Sequence, residues 1–175
     1  GILNADNLLH NPDFRAAERA FQLMMQVAGR AGRRDDGGEV VIQTGEPGNP
    51  VLRQVVEGDY EGMARQQLAE RRAFFYPPYA RLTSLMLRHR DPTTLRNGIT
   101  ALAVRLRERF GRRVLGPMTP PVDRIRGEYL AGLLLKIESG ASSARARELL
   151  LAELKTFSEN PAYRAITVVV DVDPQ

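Results

Sequence analysis

The run Gln26–Arg33, QVAGRAGR, sets two guanidiniums three positions apart among glycines. In a helix, Arg30 and Arg33 share one face, because residues three apart are neighbours on the helix surface. Glycine lets an anion approach the backbone closely. A guanidinium makes forked hydrogen bonds to phosphate oxygens. That combination is a clamp for a polyphosphate; the same string also reads as a glycine-terminated helix with two solvated arginines. A second basic group, Arg124, Arg126 and Lys136, flanks a hairpin that carries Tyr129. Charge of this kind can follow a phosphate backbone while the ring stacks a base. The plainer alternative is an exposed hairpin with an ordinary tyrosine. A third group, Arg105, Arg107, Arg109, Arg112 and Arg113, crowds the end of a helix. There it complements the helix dipole and reads as a solvated face.

Other chemistries are excluded by composition. The 175 residues contain no Cys, so thiolate metal sites, disulfides and a cysteine nucleophile are ruled out. The two histidines, His10 and His89, have no carboxylate at metal-ligand spacing, and no metal site is expected. No apolar run approaches the ~20 residues of a membrane helix, and the first residues are neither a signal nor a transit peptide. A cytoplasmic setting without membrane contact follows as an expectation. The basic side is almost entirely arginine, 23 Arg against two Lys, which suits a nucleic-acid partner and equally suits a coding bias. With 43% apolar residues, the chain can bury a core.

These groups must be carried by elements that the patterns delimit. Ala16–Arg30 reads as a helix started near Asn11-Pro12-Asp13, and Asp35–Gly38 as a turn. The β-branched run Glu39–Thr44 predicts a buried strand. Two helices follow, Val51–Glu57 and Tyr60–Phe75, stopped by Pro77-Pro78. Beyond them come a strand (Arg81–Arg90), a helix (Pro92–Phe110) and two short strands (Val114–Pro117 and Pro121–Arg126). A turn at Gly127-Glu128, a strand (Tyr129–Glu138), a helix (Ser142–Phe157) and a last strand (Ala165–Val172) complete the chain. Counted without the short Pro121–Arg126 strand, the order β-α-β-β-α-β over residues 81–175 predicts an α+β ferredoxin-like domain, with two helices on one face of an antiparallel sheet.

Several strings together resemble the primosomal protein N′ family of replication-restart DNA helicases. They are Pro12–Arg19 (PDFRAAER), Gln26–Arg33, Gly38–Thr44 (GEVVIQT), Ala69–Arg72 (AERR), Tyr76–Tyr79 (YPPY), Val114–Pro117 (VLGP) and Val170–Pro174 (VDVDP). They run over nearly the whole chain in the family's order, and Gln26–Arg33 is similar to helicase motif VI. The resemblance implies an α/β protein. Residues 1–45 would be the C-terminal part of a second RecA-like helicase lobe, 46–80 a helical connector and 81–175 the C-terminal domain.

The intact protein would be an ATP-dependent helicase that moves 3′ to 5′ on DNA. It would act on forked and single-stranded DNA with single-stranded-DNA-binding protein and other primosome proteins. ATP and Mg²⁺ would lie between two lobes, with Arg33 as the arginine finger, Arg30 as a second phosphate-facing arginine, and Gln26, Gly29 and Gly32 at the same surface. Such a finger is worth ~10³–10⁵ in rate. Asp13, Arg15, Glu18 and Arg19 would brace the helix. Arg124, Arg126, Tyr129 and Lys136 would contact DNA, although Leu130-Ala131-Gly132 follow the tyrosine where the family often has a basic or polar residue. Arg145 or Arg147 would meet the acidic tail of single-stranded-DNA-binding protein. Because the phosphate-binding lysine motif, the acidic motif and the zinc-binding cysteines of the upstream region are absent here, the chain is expected to be a C-terminal fragment. It is expected to bind no zinc and to hydrolyse no ATP alone.

Overall fold

Asn49 and Pro50 show how the first helices are set. The Asn49 side chain accepts the Val51 N–H at 3.0 Å, and Pro50, which has no N–H to lose, occupies the first turn. The Asp59 carboxylate caps the next helix in the same way, accepting the Gly62 N–H at 2.8 Å. A computed structural model describes residues 1–2, 4–31 and 39–174. The chain divides into two units, Gly1–Phe74 and Phe75–Gln175.

The first unit contains helices α1 (Asp6–Leu9), α2 (Ala16–Ala31), α3 (Pro50–Glu57) and α4 (Tyr60–Ala73). Its core joins Ala20, Phe21 and Met24 of α2 to Val51, Leu52 and Val55 of α3 and Met63 of α4. The helices read from sequence as a connector therefore share a core with the helix that carries Arg30. The run expected as a buried strand, Glu39–Thr44, forms only an isolated parallel bridge, Ile2 to Ile42, and Val41 is 62% exposed. Among the described residues, the backbone beside it is that of Ile2 and Ala5. It supplies hydrogen bonds from Ile2 N–H to Val41 O (2.8 Å), from Gln43 N–H to Ile2 O (2.9 Å) and from Ala5 N–H to Gln43 O (2.9 Å). β-Branched residues favour a strand only where neighbours pair along it. Asp6 ties the same segment down by accepting the Thr44 hydroxyl (2.5 Å) and the Gly45 N–H (2.8 Å). These bonds, the Thr44 one foremost, hold its carboxyl below the usual range.

The second unit is a mixed α/β structure around an antiparallel sheet. It runs β1 (Ala80–His89), α5 (Pro92–Phe110), a 3₁₀ turn (Gly111–Arg113), β2 (Val114–Met118), β3 (Arg124–Ile125), β4 (Glu128–Glu138), α6 (Ser143–Glu159) and β5 (Thr167–Val172). The strands lie in the order β2-β4-β1-β5, with β3 paired to the start of β4. Leu85 pairs with Leu133 on one side and Val170 on the other, and Leu87 with Ala131 and Val168. Leu85, Leu87 and Leu133 close a core with Leu95, Ile99, Leu102, Leu106, Leu150 and Phe157 of α5 and α6, and Ala131 and Val168 pack against it.

The short strand expected over Pro121–Arg126 is reduced to Arg124–Ile125, since Pro120 and Pro121 have no N–H for a ladder. At Gly116 (φ 99°) an added Cβ would stand 2.9 Å from the Gly132 carbonyl oxygen, so β2 can approach β4 there only without a side chain.

Candidate nucleotide and nucleic-acid interfaces

The end of α2 presents Gln26, Gly29 and Arg30 to solvent. Gln26 and Arg30 are four apart and share a face. A Cβ built on Gly29 meets nothing within 4 Å, so the helix surface there is open. Gly32 and Arg33 lie outside the described residues. The helix itself is well anchored. Asp13 pairs with Arg19 at 2.7 Å and accepts the Arg15 N–H at 2.9 Å. Glu18 reaches Arg71 of α4 at 2.6 Å. The Phe14 ring has the guanidiniums of Arg15 and Arg71 at 5.1 and 5.2 Å from its centroid. Arg71 stands out in the sequence only as part of the AERR string; its partner is 53 positions away, which no local spacing reveals.

At the hairpin, Arg126 (φ 50°) and Gly127 (φ 81°) form a two-residue turn with both φ positive, the geometry that matches the twist of paired strands. The turn falls one residue before the expected Gly127-Glu128. Arg124 faces Tyr129 across the strands, with its guanidinium 5.0 Å from the ring centroid. A cation held over an aromatic face is a stable arrangement that leaves the charge accessible. Lys136 does not belong to this cluster. It is seven residues further along β4, an odd step that turns it to the other face of the sheet. It pairs with Leu82, is 9% exposed, and sets its ammonium 3.4 Å from the Tyr76 ring centroid. Burial pushes its pKa below the usual lysine range. The structure thus brings Arg124, Arg126 and Tyr129 together and removes Lys136 from them.

The arginines at the end of α5 are largely occupied. Arg105 and Arg109 both bind Glu153, at 2.7 and 2.8 Å. Arg113 pairs with Glu138 at 2.7 Å, and Arg107 donates to the Gly116 carbonyl. Arg145 pairs with Glu148 at 2.8 Å, whereas Arg147 lines a cavity of about 530 Å³ between α6 and the β1–β5 end of the sheet. Among the described residues, no group of three or more His, Asp, Glu or Cys could hold a metal ion, and no helix is long and apolar enough to cross a membrane.

A family described as the primosomal protein N C-terminal domain matches residues 72–175. The chain belongs to this family. Similar proteins named replication restart protein PriA extend the likeness beyond the matched domain. The protein from Treponema pallidum is 39% identical over 99% of the chain, that from Haemophilus influenzae 35% over 99%, and that from Bacillus subtilis 32% over 99%. The chain spans 26%, 23% and 22% of these relatives, about a quarter of their length. The family match contains the hairpin and every strand of the second unit. The Gln26–Arg33 string lies upstream of it, within the stretch aligned to the relatives.

Proposed function

We propose that this chain is the C-terminal part of an ATP-dependent 3′–5′ DNA helicase that restarts stalled replication forks by primosome assembly. In this reading Arg33, which follows α2 in sequence, is the arginine finger, and Arg30 in the last turn of α2 is the second phosphate-facing arginine. The second unit is a ferredoxin-like domain that binds forked or single-stranded DNA and partners such as single-stranded-DNA-binding protein. The observation that carries the reading is the solvent-facing end of α2. Gln26 and Arg30 share one face of a helix pinned by Asp13–Arg19 and Glu18–Arg71. That donor set, guanidinium and amide beside an open glycine, fits the oxygens of a phosphate.

ATP would supply a γ-phosphoryl group whose transfer builds negative charge. Mg²⁺ would be held by carboxylates of the other lobe rather than by these donors. What this chain contributes is position. A guanidinium fixed in place stabilises that charge without reorganising during the reaction. The ferredoxin-like assignment rests on the strand order: β1 and β2, joined through α5, are separated by β4, the split β-α-β arrangement.

Replacing Arg33 with Ala in the full-length helicase should abolish DNA-stimulated ATP turnover while nucleotide binding persists, as read by equilibrium binding of a labelled nucleotide. The 175-residue chain alone should show no turnover. Turnover by the chain alone, or normal turnover by the full-length Arg33→Ala protein, would overturn the assignment. A second reading, a self-sufficient nucleic-acid-binding module, is favoured by the core of the second unit, which among the described residues starts at Leu85. DNA binding that is unaffected by nucleotide in the full-length protein would favour it.

A further inference from the structure

Beside the hairpin, between α5 and the β2–β4 edge, lies a cavity of about 260 Å³. Its floor is apolar: Leu95, Ile99 and Ala131. Tyr129 forms a wall, and Arg96 and Asp123 are among the polar residues that line it. It is smaller than the ~300–1,000 Å³ of sites that take drug-sized ligands, and it is far larger than the ~30 Å³ share of a water molecule. One planar ring system fits that size.

We propose that this cavity holds one unpaired base of a single DNA strand whose phosphates run past Arg90, Arg96, Arg124 and Arg126. The inference rests on the DNA-binding reading above and names the part of the DNA that this site takes. Three observations carry it. First, the charge is available. Among the described residues, Arg90, Arg96 and Arg126 make no ion pair, and Arg124 has only the Tyr129 ring, unlike the paired arginines at the far end of α5. Second, these residues converge. Arg90 follows His89, whose Cα pairs with that of Tyr129, and Tyr129 pairs in turn with Arg124.

Third, the polar lining selects the ligand. Asp123 offers a carboxylate acceptor and Arg96 guanidinium donors. The edge of a nucleobase presents both complements, and an apolar floor beside an aromatic wall suits its faces. A phosphate in the cavity would be opposed by Asp123, and an apolar side chain would offer neither group a complement.

The test uses the 175-residue chain and a mixed-sequence single-stranded oligonucleotide, with binding followed by fluorescence anisotropy. A single abasic residue is moved along the strand. At one position it should weaken binding by about tenfold, the scale of one lost stacking contact. Ala131→Leu fills the cavity floor and removes none of the arginines. It should weaken binding of the intact strand by a similar factor and lose nothing further with the abasic strand. A 2-aminopurine scanned along the strand should be quenched at the same position by the wild-type chain, a readout that does not depend on the variant folding. The proposal is overturned if the abasic residue is neutral everywhere and 2-aminopurine stays as bright as in the free strand. It is also overturned if folded Ala131→Leu binds the intact strand like wild type. If the wild-type chain shows no salt-sensitive binding to DNA even at low salt, the DNA-binding reading itself fails. Salt-sensitive binding without any base effect removes only the base pocket.

Discussion

Glu153 decides what two of the arginines of α5 do. It is 6% exposed, and its two oxygens are taken separately by Arg105 and Arg109. The Arg109 hydrogen bond, with that of Arg105, holds its carboxyl below the usual 4.5. A carboxylate whose folded pKa is depressed stabilises the fold above its unfolded pKa, and that contribution is lost as pH falls through the folded value. Glu153→Gln should therefore cost ~1–2 kcal/mol at pH 7, measured by urea unfolding. The gap to wild type should shrink as pH drops below about 4.5. An equal urea midpoint at pH 7 would show that the pair contributes nothing. The sequence presents these arginines as a solvated basic face, because their acceptor lies 44 and 48 positions away. Spacing within a helix reveals neighbours on that helix, not partners on another one. Lys136 escaped the sequence reading for a different reason. Flanking a turn in sequence says nothing about which side of the sheet a residue takes, and the count of residues along β4 does.

At the scale of elements, local signals were enough for most of the second unit. Helix α5 spans Pro92–Phe110 as its proline start and apolar spacing predict, and β1, β2 and β4 fall within about one residue of the runs that announce them. Failures occur where an element depends on a neighbour. Among the described residues, Glu39–Thr44 has strand-forming residues but one short partner, and Pro121–Arg126 opens on a proline where a ladder needs an N–H. The cap of α3 shows how much a single local signal carries. Asn49 satisfies the Val51 N–H and starts the helix that places Val51, Leu52 and Val55 against α2. Asn49→Ala should lower stability by ~1 kcal/mol, whereas Asn49→Asp or Asn49→Ser, which keep a side-chain acceptor, should cost far less. Thermal melts of the three variants give the comparison. Equal losses in all three would mean that the cap is not what holds the helix end.

For the whole molecule, the net charge of +4 predicts little about nucleic acid, because the useful quantity is how many cations lack a partner and where they gather. By that measure the second unit carries the candidate surface, with Arg90, Arg96, Arg124 and Arg126 at one end of its sheet. The unit also has what independent folding needs. Among the described residues, its core runs from Leu85 to Ile166. Its start is tied within itself as well, the Ser139 N–H donating to the Tyr79 carbonyl at 3.0 Å and the Ser139 hydroxyl to the Pro78 carbonyl at 2.5 Å. A chain of residues 75–175 should therefore melt cooperatively and bind single-stranded DNA with the same dependence on salt as the 175-residue chain. Each phosphate neutralised on a single strand contributes about −0.7 to the slope of log affinity against log salt. Replacing both Arg124 and Arg126 with Ala should then flatten that slope by ~1.4 in either chain. If instead truncation alone flattened the slope and the double variant left it unchanged, the phosphate contacts would lie on residues 1–74, and the end of α2 would be the surface that meets DNA.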